Sequence, residues 1–151
     1  MTDLFEQAEP LKAISLWQPW ASAIPLGWKG VETRHWQTTH RGEIAIHAAK
    51  RWTVEQAEFA SVERALGRVP ARLPFGAIVA LATLSDMRPT DELVLSVSAI
   101  ERLYGNYAPG RFGWVLTNVR PLREPVGCVG RQSIWTLPAD VAAAVRGMAH
   151  D

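Results

Sequence analysis

The chain has 151 residues, of which 48% are hydrophobic and 21% charged. That is one domain's worth of ordinary globular composition, and it excludes whole-chain disorder, a collagen-like repeat or a disulfide scaffold. Sixteen Lys+Arg against fifteen Asp+Glu leave a net charge of +1, which excludes a polybasic protein that holds polyanions by bulk charge.

Residues 1–10 are polar and unpatterned and read as a disordered tail; residues 11–151 read as a single domain. Lys12 to Trp17 alternates as a strand. Gln18 to Ile24 reads as a short helix with Pro19 at its first position, stopped by Pro25 and Gly27. Gly30 to Trp36 reads as extended, and Gly42 to His47 alternates as a strand. The spacing predicts a helix over 54–66, with Thr53 as N-cap, Gln56 completing a capping box and Gly67 closing the end. Gly76 to Leu84 is an apolar run of strand length. Residues 91–104 fit either a helix or a strand, with Ser98 and Glu101 able to cap a short helix ending at Gly105. Gly105 to Gly110 reads as a loop, Phe112 to Val119 as a strand and Pro121 to Pro125 as a turn. Ile134 to Leu137 reads as a last strand, and 139–148 as a terminal helix after Pro138. Short strands with few helices imply an α+β chain, mainly β: a small curled β-barrel with short helices around its mouth.

Charge is unevenly spread. Residues 28–52 and 105–137 each carry a net +3, while 1–10 carry −3 and 85–104 carry −2. Thirteen of the sixteen basic residues are arginine. Five of the seven tryptophans (Trp28, Trp36, Trp52, Trp114, Trp135) lie in the positive segments, and Trp17 and Trp20 just upstream. If those segments meet, they form a local basic, aromatic surface that the net charge hides. Trp17 and Trp114 read as core, because each sits in an alternating strand, and His47 reads as a satisfied core histidine.

The single cysteine, Cys128, lies in apolar company and reads as an unreactive thiol of a reducing, cytoplasmic compartment. The acidic N-terminus is unlike a signal peptide, and no apolar run nears the ~18 residues of a membrane span. Glycine-rich phosphate loops and nucleophile elbows are missing, so no cofactor is expected. His35, His40 and His47 with one distant thiol do not form a tetrahedral set, so no metal is expected either.

The sharpest local feature is Gly27-Trp28-Lys29-Gly30-Val31-Glu32-Thr33-Arg34-His35-Trp36. On an extended 30–36, Glu32 and Arg34 share one face and Val31 and Thr33 the other, while Lys29 at the entering turn folds over the Glu32 face. Such a set is either a self-satisfied rim pair or a site in which Lys29 and Arg34 bind phosphate or a base edge and Glu32 orients them. A lysine in a dry cleft can also serve as a base.

At this point the chain resembles the ASCH domain family. The resemblance is carried by Ser15-Leu16-Trp17-Gln18-Pro19-Trp20-Ala21, by Gly27-x-Lys29-x-x-Glu32-x-Arg34, by Arg41-Gly42 and Ile46-His47-Ala48-Ala49-Lys50, and by Gly105-Asn106-Tyr107-x-x-Gly110-Arg111-Phe112-x-Trp114. It spans roughly residues 11–137. It implies a PUA-like β-barrel with a cleft lined by Lys29, Glu32 and Arg34, and it implies dealings with RNA or DNA.

Three functional readings follow. In the first, the domain binds nucleic acid or a nucleotide: Lys29, Arg34, Arg41, Lys50, Arg51 and Arg111 contact phosphates, Trp20 or Trp36 stacks a base, and Arg131 closes the cleft. There Gln18 either reads a base edge or caps the helix. In the second, as in relatives that act on N4-acetylcytidine, the chain is an amidohydrolase with Lys29 as base, Glu32 beside it and Asp86 as a distant acid. That reading departs from the family pattern, which has threonine where Glu32 stands; a ribonuclease is a variant of it. In the third, the tryptophan patch docks a protein partner.

Overall fold

The computed structural model describes residues 9–149, so the expected tail falls almost wholly outside the described residues. Six strands form one mixed sheet, in the order β2 (Val31–Arg34), β5 (Phe112–Gly127), β4 (Ala77–Pro89), β3 (Gly42–Ala48), β1 (Lys12–Leu16), β6 (Ile134–Thr136). Only β1 and β3 run parallel; the other pairs are antiparallel. The sheet is a half-barrel, with helices α1 (Trp20–Leu26), α2 (Val54–Ala65), α3 (Thr90–Leu93), α4 (Ala99–Leu103) and α5 (Ala139–Met148) around it.

Alternation along β1 and β3 sorts the side chains by size. Ile14, Leu16, Ile44 and Ile46 point to one face, where they pack with Leu84, Trp114 and the buried residues Ala21 and Ile24 of α1. Ala13 and Ala45 point to the other, and these small residues let α5 approach with Ala142 and Val145 beside Trp135 and Leu137. The central strands are therefore buried on both faces. Truncating Ile46 to alanine removes about 2–5 kcal/mol, the usual range for a core isoleucine.

Most elements lie where the residues place them, and the capping box of Thr53 and Gln56 on α2 forms in both directions. Two expectations are corrected and one open reading is resolved. Pro25 lies inside α1 rather than stopping it, and Pro19 is the N-cap; the stop is Gly27, in the left-handed region at φ 91°. The ambiguous 91–104 stretch makes two short helices, with Ser98 capping α4 by accepting from the Glu101 amide at 3.1 Å. The expected turn at Pro121 to Pro125 does not exist, because β5 runs straight through it to Gly127. Its neighbour β2 pairs only with residues 112–115, so among the described residues that side of the second half of β5 carries just the Leu122–Ala149 bridge, and Pro121 sits where the β4 pairing slips register. A proline without an N–H is tolerated there.

Candidate functional site

The Gly27 turn builds the site. Its left-handed conformation folds the chain back so that the Trp28 and Lys29 amides both donate to Ala23 O, at 3.0 and 3.2 Å. Lys29 thereby enters the interior, where it is 2% exposed. Its Nζ donates to Val31 O (2.8 Å) and Tyr104 O (2.6 Å) and lies 3.3 Å from Glu32 Oε1. Glu32 Oε2 accepts from Arg34 Nε at 2.8 Å, and Arg34 Nη2 donates to Ser15 O. The strand geometry that puts Glu32 and Arg34 on one face has thus produced a three-residue ion network. Burial works against the Glu32 charge, but Lys29 and then Arg34 outweigh it and hold the carboxyl below its ordinary range.

A segment distant in sequence supports this network. Glu101 on α4 accepts from the amides of Gly30 (2.7 Å) and Val31 (3.2 Å), fixing the start of β2. Thr33 Oγ1 accepts from the Asn106 amide, and Arg111 Nη2 donates to Thr33 O at 3.0 Å. Tyr104 is buried; its hydroxyl donates to Glu63, which also pairs with Arg68 at 2.7 Å. Burial, then the Glu63 carboxylate, push the Tyr104 hydroxyl far above the usual range, so it stays a neutral donor.

These pieces enclose a cleft of about 780 Å³, walled by Trp17, Trp20, Trp36 and Phe59 and floored by Glu32, Arg34 and Arg111. Each tryptophan is braced. Trp20 stacks on Phe59 (5.2 Å, 7°), Trp36 meets Trp114 edge-on (4.8 Å), and the Arg34 guanidinium sits 5.9 Å from the Trp36 ring. A cavity of this size with aromatic walls and few charged groups suits a nucleobase or similar flat ligand.

The expected site residues are not all together. Trp20, Glu32, Arg34, Trp36 and Arg111 line the cleft, and Lys29 lies beneath Glu32. Lys50 and Arg51 lie beyond Trp17, with the Arg51 guanidinium 4.5 Å from that ring. Gln18 is 0% exposed, and its amide is committed to Ser22 and Pro74 O, so it braces α1 and reads no base edge. Arg41 is exposed and turned onto Thr38 O and His40 O. Arg131 is exposed outside the cleft lining, in the loop whose Gly130 covers Ser15 and His47. Asp86 is exposed on β4, with β5 between it and β2, so it does not meet Lys29.

Trp17 departs from the expected core position. It falls just past the end of β1 and is 47% exposed on the cleft rim. Trp114 and His47 are core as expected, at 0% and 1% exposure. His47 Nε2 donates to Cys128 O (2.8 Å), which leaves Nδ1 to accept from the Ser15 hydroxyl (2.7 Å). Burial lowers the His47 pKa. Phe59, Tyr104, Glu101 and Asn106 escape a reading of the residues alone, because no local pattern links 59 or 101–106 to 29–34. No group of three or more metal-ligating side chains occurs among the described residues. None of the described helices is long and apolar enough to cross a membrane.

Comparison with known proteins agrees with this architecture. The sequence model of the ASCH domain matches residues 14–126. The crystal structure of ASCH from Zymomonas mobilis is similar, with a TM-score of 0.58 and 19% identity, covering 93% of this chain and 96% of that one. A tyrosine-to-phenylalanine mutant of the Zymomonas mobilis protein gives 0.59 at 18% identity (94% and 100% covered). A serine-to-alanine mutant gives 0.57 at 18% (93% and 96%). No curated protein sequence matches. At these identities the solved structures establish the fold alone, and the domain match, which takes in the whole Gly27–Arg34 element and the cleft-lining Arg111, establishes that the chain belongs to the ASCH domain family.

Proposed function

We propose that the cleft binds single-stranded nucleic acid, taking one unpaired base between its tryptophans. The observation that carries this reading is the convergence of Trp17, Trp20 and Trp36 with Glu32, Arg34 and Arg111 in one cavity. Membership of the ASCH family, with its PUA-like fold and proposed RNA binding, supports it. Aromatic walls stack bases of any sequence. A carboxylate on the floor accepts from exocyclic amino groups, the pairing by which acidic side chains recognise cytosine. Arg34 and Arg111 supply positive charge beside that carboxylate. Lys29 acts through Glu32: with Nζ held by two carbonyls and a carboxylate, it fixes the carboxylate rather than touching the ligand. A base-paired strand hides its base edges and faces, so duplexes bind more weakly.

The hydrolase reading fares less well. Its base, Lys29, is engaged as a donor to three oxygens, and its acid, Asp86, is outside the cleft.

The test is a titration of labelled single-stranded RNA and DNA and of matched duplexes at ~50 mM salt. Single strands bind more tightly, with a log–log salt slope near −0.7 per phosphate contact. Equal or tighter duplex binding, or no binding of any strand, contradicts the proposal. Incubation with N4-acetylcytidine releases no cytidine on this reading; turnover that Lys29→Met abolishes restores the hydrolase.

A further inference from the structure

A second cavity lies beside the cleft. It measures about 380 Å³ and is lined by Lys50, Trp52, Arg64, Ala71, Leu73 and Phe75. Trp52 and Phe75 meet edge-on at 5.3 Å and remain 44% and 39% exposed. Among the described residues, two cations line this cavity and no acid does. Among the described residues, the side chains of Lys50 and Arg64 make no ion pair or hydrogen bond, unlike Arg34 and Arg111 in the cleft.

Its position relative to the cleft is fixed by two buried glutamines. Gln56 Nε2 donates to Gln18 O (2.8 Å) and Arg51 O (2.9 Å), and Gln18 Nε2 donates to Pro74 O (2.8 Å). The rim of the cleft at Trp17–Gln18, the 50–52 segment and the 74–75 segment are thereby stapled together. Between the two cavities the Arg51 guanidinium lies over Trp17. The Lys50 stem packs along the backbone at Gly76, where a Cβ would stand 2.6 Å from its Cε. Glycine at that position, with φ +64°, leaves the room that lets Lys50 lie against the cavity wall.

We infer that this cavity is a second nucleotide subsite. It takes another base of the strand held in the cleft, stacked on Trp52 and Phe75, with Lys50 and Arg64 on its phosphates and Arg51 tracking the backbone between. The inference rests on the single-strand reading of the cleft and adds to it a direction and a minimum length. The occupant is argued from charge: phosphate complements a pocket with two unpaired cations and no acid, and an aromatic pair accepts a base of any identity.

The test measures the affinity of labelled single-stranded oligonucleotides from one to eight nucleotides at ~50 mM salt. Wild type, Trp52→Ala, Lys50→Gln/Arg64→Gln and Arg34→Ala are compared. In wild type, affinity rises with length until both subsites are filled. Trp52→Ala leaves a mononucleotide unaffected and weakens the longest strand roughly 5- to 150-fold, the loss of one stacked base. The double variant, at exposed positions that carry no hydrogen bond, lowers the salt slope for the longest strand by about 1.4, two contacts at ~0.7 each. Arg34→Ala weakens every length. Long strands bound equally by wild type, Trp52→Ala and the double variant overturn the subsite and leave the cleft reading standing. Failure of wild type to bind any length overturns both.

Discussion

Among the described residues, two carboxylates are each clamped between two cations, and their surroundings set them apart. Glu32 lies between Lys29 and Arg34 beneath the cleft, and Glu43 lies between Arg120 and Arg146 on the outer side of β3. In both, burial opposes the charge and the paired cations more than restore it, so both carboxyls sit below their ordinary range. The surroundings differ. Lys29 is sealed from water, whereas every member of the Glu43 set is about a quarter to a third exposed. The Glu43 set ties α5 to the sheet, since Arg146 on α5 donates to Glu43 on β3, and Arg146 also reaches Glu9 O. Only the Glu32 set opens into an aromatic cavity. A buried ion network is weak support for stability, because removing water from the ions offsets much of their attraction. Its presence where tryptophans converge is why the proposal turns on Glu32 rather than Glu43.

The largest expected effect that separates the two sets is in stability. Lys29→Met leaves Glu32 buried beside a single cation and strips donors from Val31 O and Tyr104 O, a loss of about 3–5 kcal/mol in urea unfolding. A loss below ~1 kcal/mol contradicts the buried-network account. Next comes affinity. Arg34→Ala removes a charged contact worth about 1.5–3 kcal/mol, a roughly 10- to 150-fold weaker titration with single strands. Arg146→Met leaves that affinity unchanged. Acid sensitivity is smaller and directional. Because the Glu32 pKa is lower folded than unfolded, its contribution is complete above about 4.5 and disappears as pH falls through the lower folded value. Glu32→Gln therefore flattens the stability curve below pH ~4.5, and only in part, since Glu43 and Glu63 are shifted the same way. His47 is likewise lowered, so its contribution holds above about 6.5 and is lost on acidification below that; His47→Gln removes this earlier step. The smallest effect is Arg146→Met, about 1 kcal/mol or less, because the pair is reached by solvent and Glu43 keeps Arg120.

Local rules made half of the site legible in the sequence. Helix capping placed α2, and the two-residue period of a strand put Glu32 and Arg34 on one face with Lys29 against Glu32. The family resemblance rested on the same residues. What stayed hidden depends on long-range packing. Glu101 reads as a cap residue, and nothing nearby in sequence shows that its carboxylate anchors the amides of Gly30 and Val31, some 70 residues away. Trp17 looks like the last residue of an alternating strand and turns outward because β1 has already ended. Asp86 reads as adjacent to an apolar strand, and the strand order separates it from Lys29. The +1 net charge hides a local site because its cations are divided between internal pairs and a few groups that face outward.

The tryptophans offer the most direct test of the central claim that the cleft holds an unpaired base. Each carries one indole N–H resonance, observable by ¹⁵N-edited NMR during titration with a single-stranded oligonucleotide. The account predicts shifts in Trp17, Trp20 and Trp36, with Trp52 following only for longer strands. Trp28, whose indole N–H is tied to Arg68 O, and the buried Trp135 stay in place, while Trp114, whose indole N–H donates to Trp36 O, follows Trp36. Shifts confined to Trp28 or Trp135, or none at saturating oligonucleotide, would contradict it.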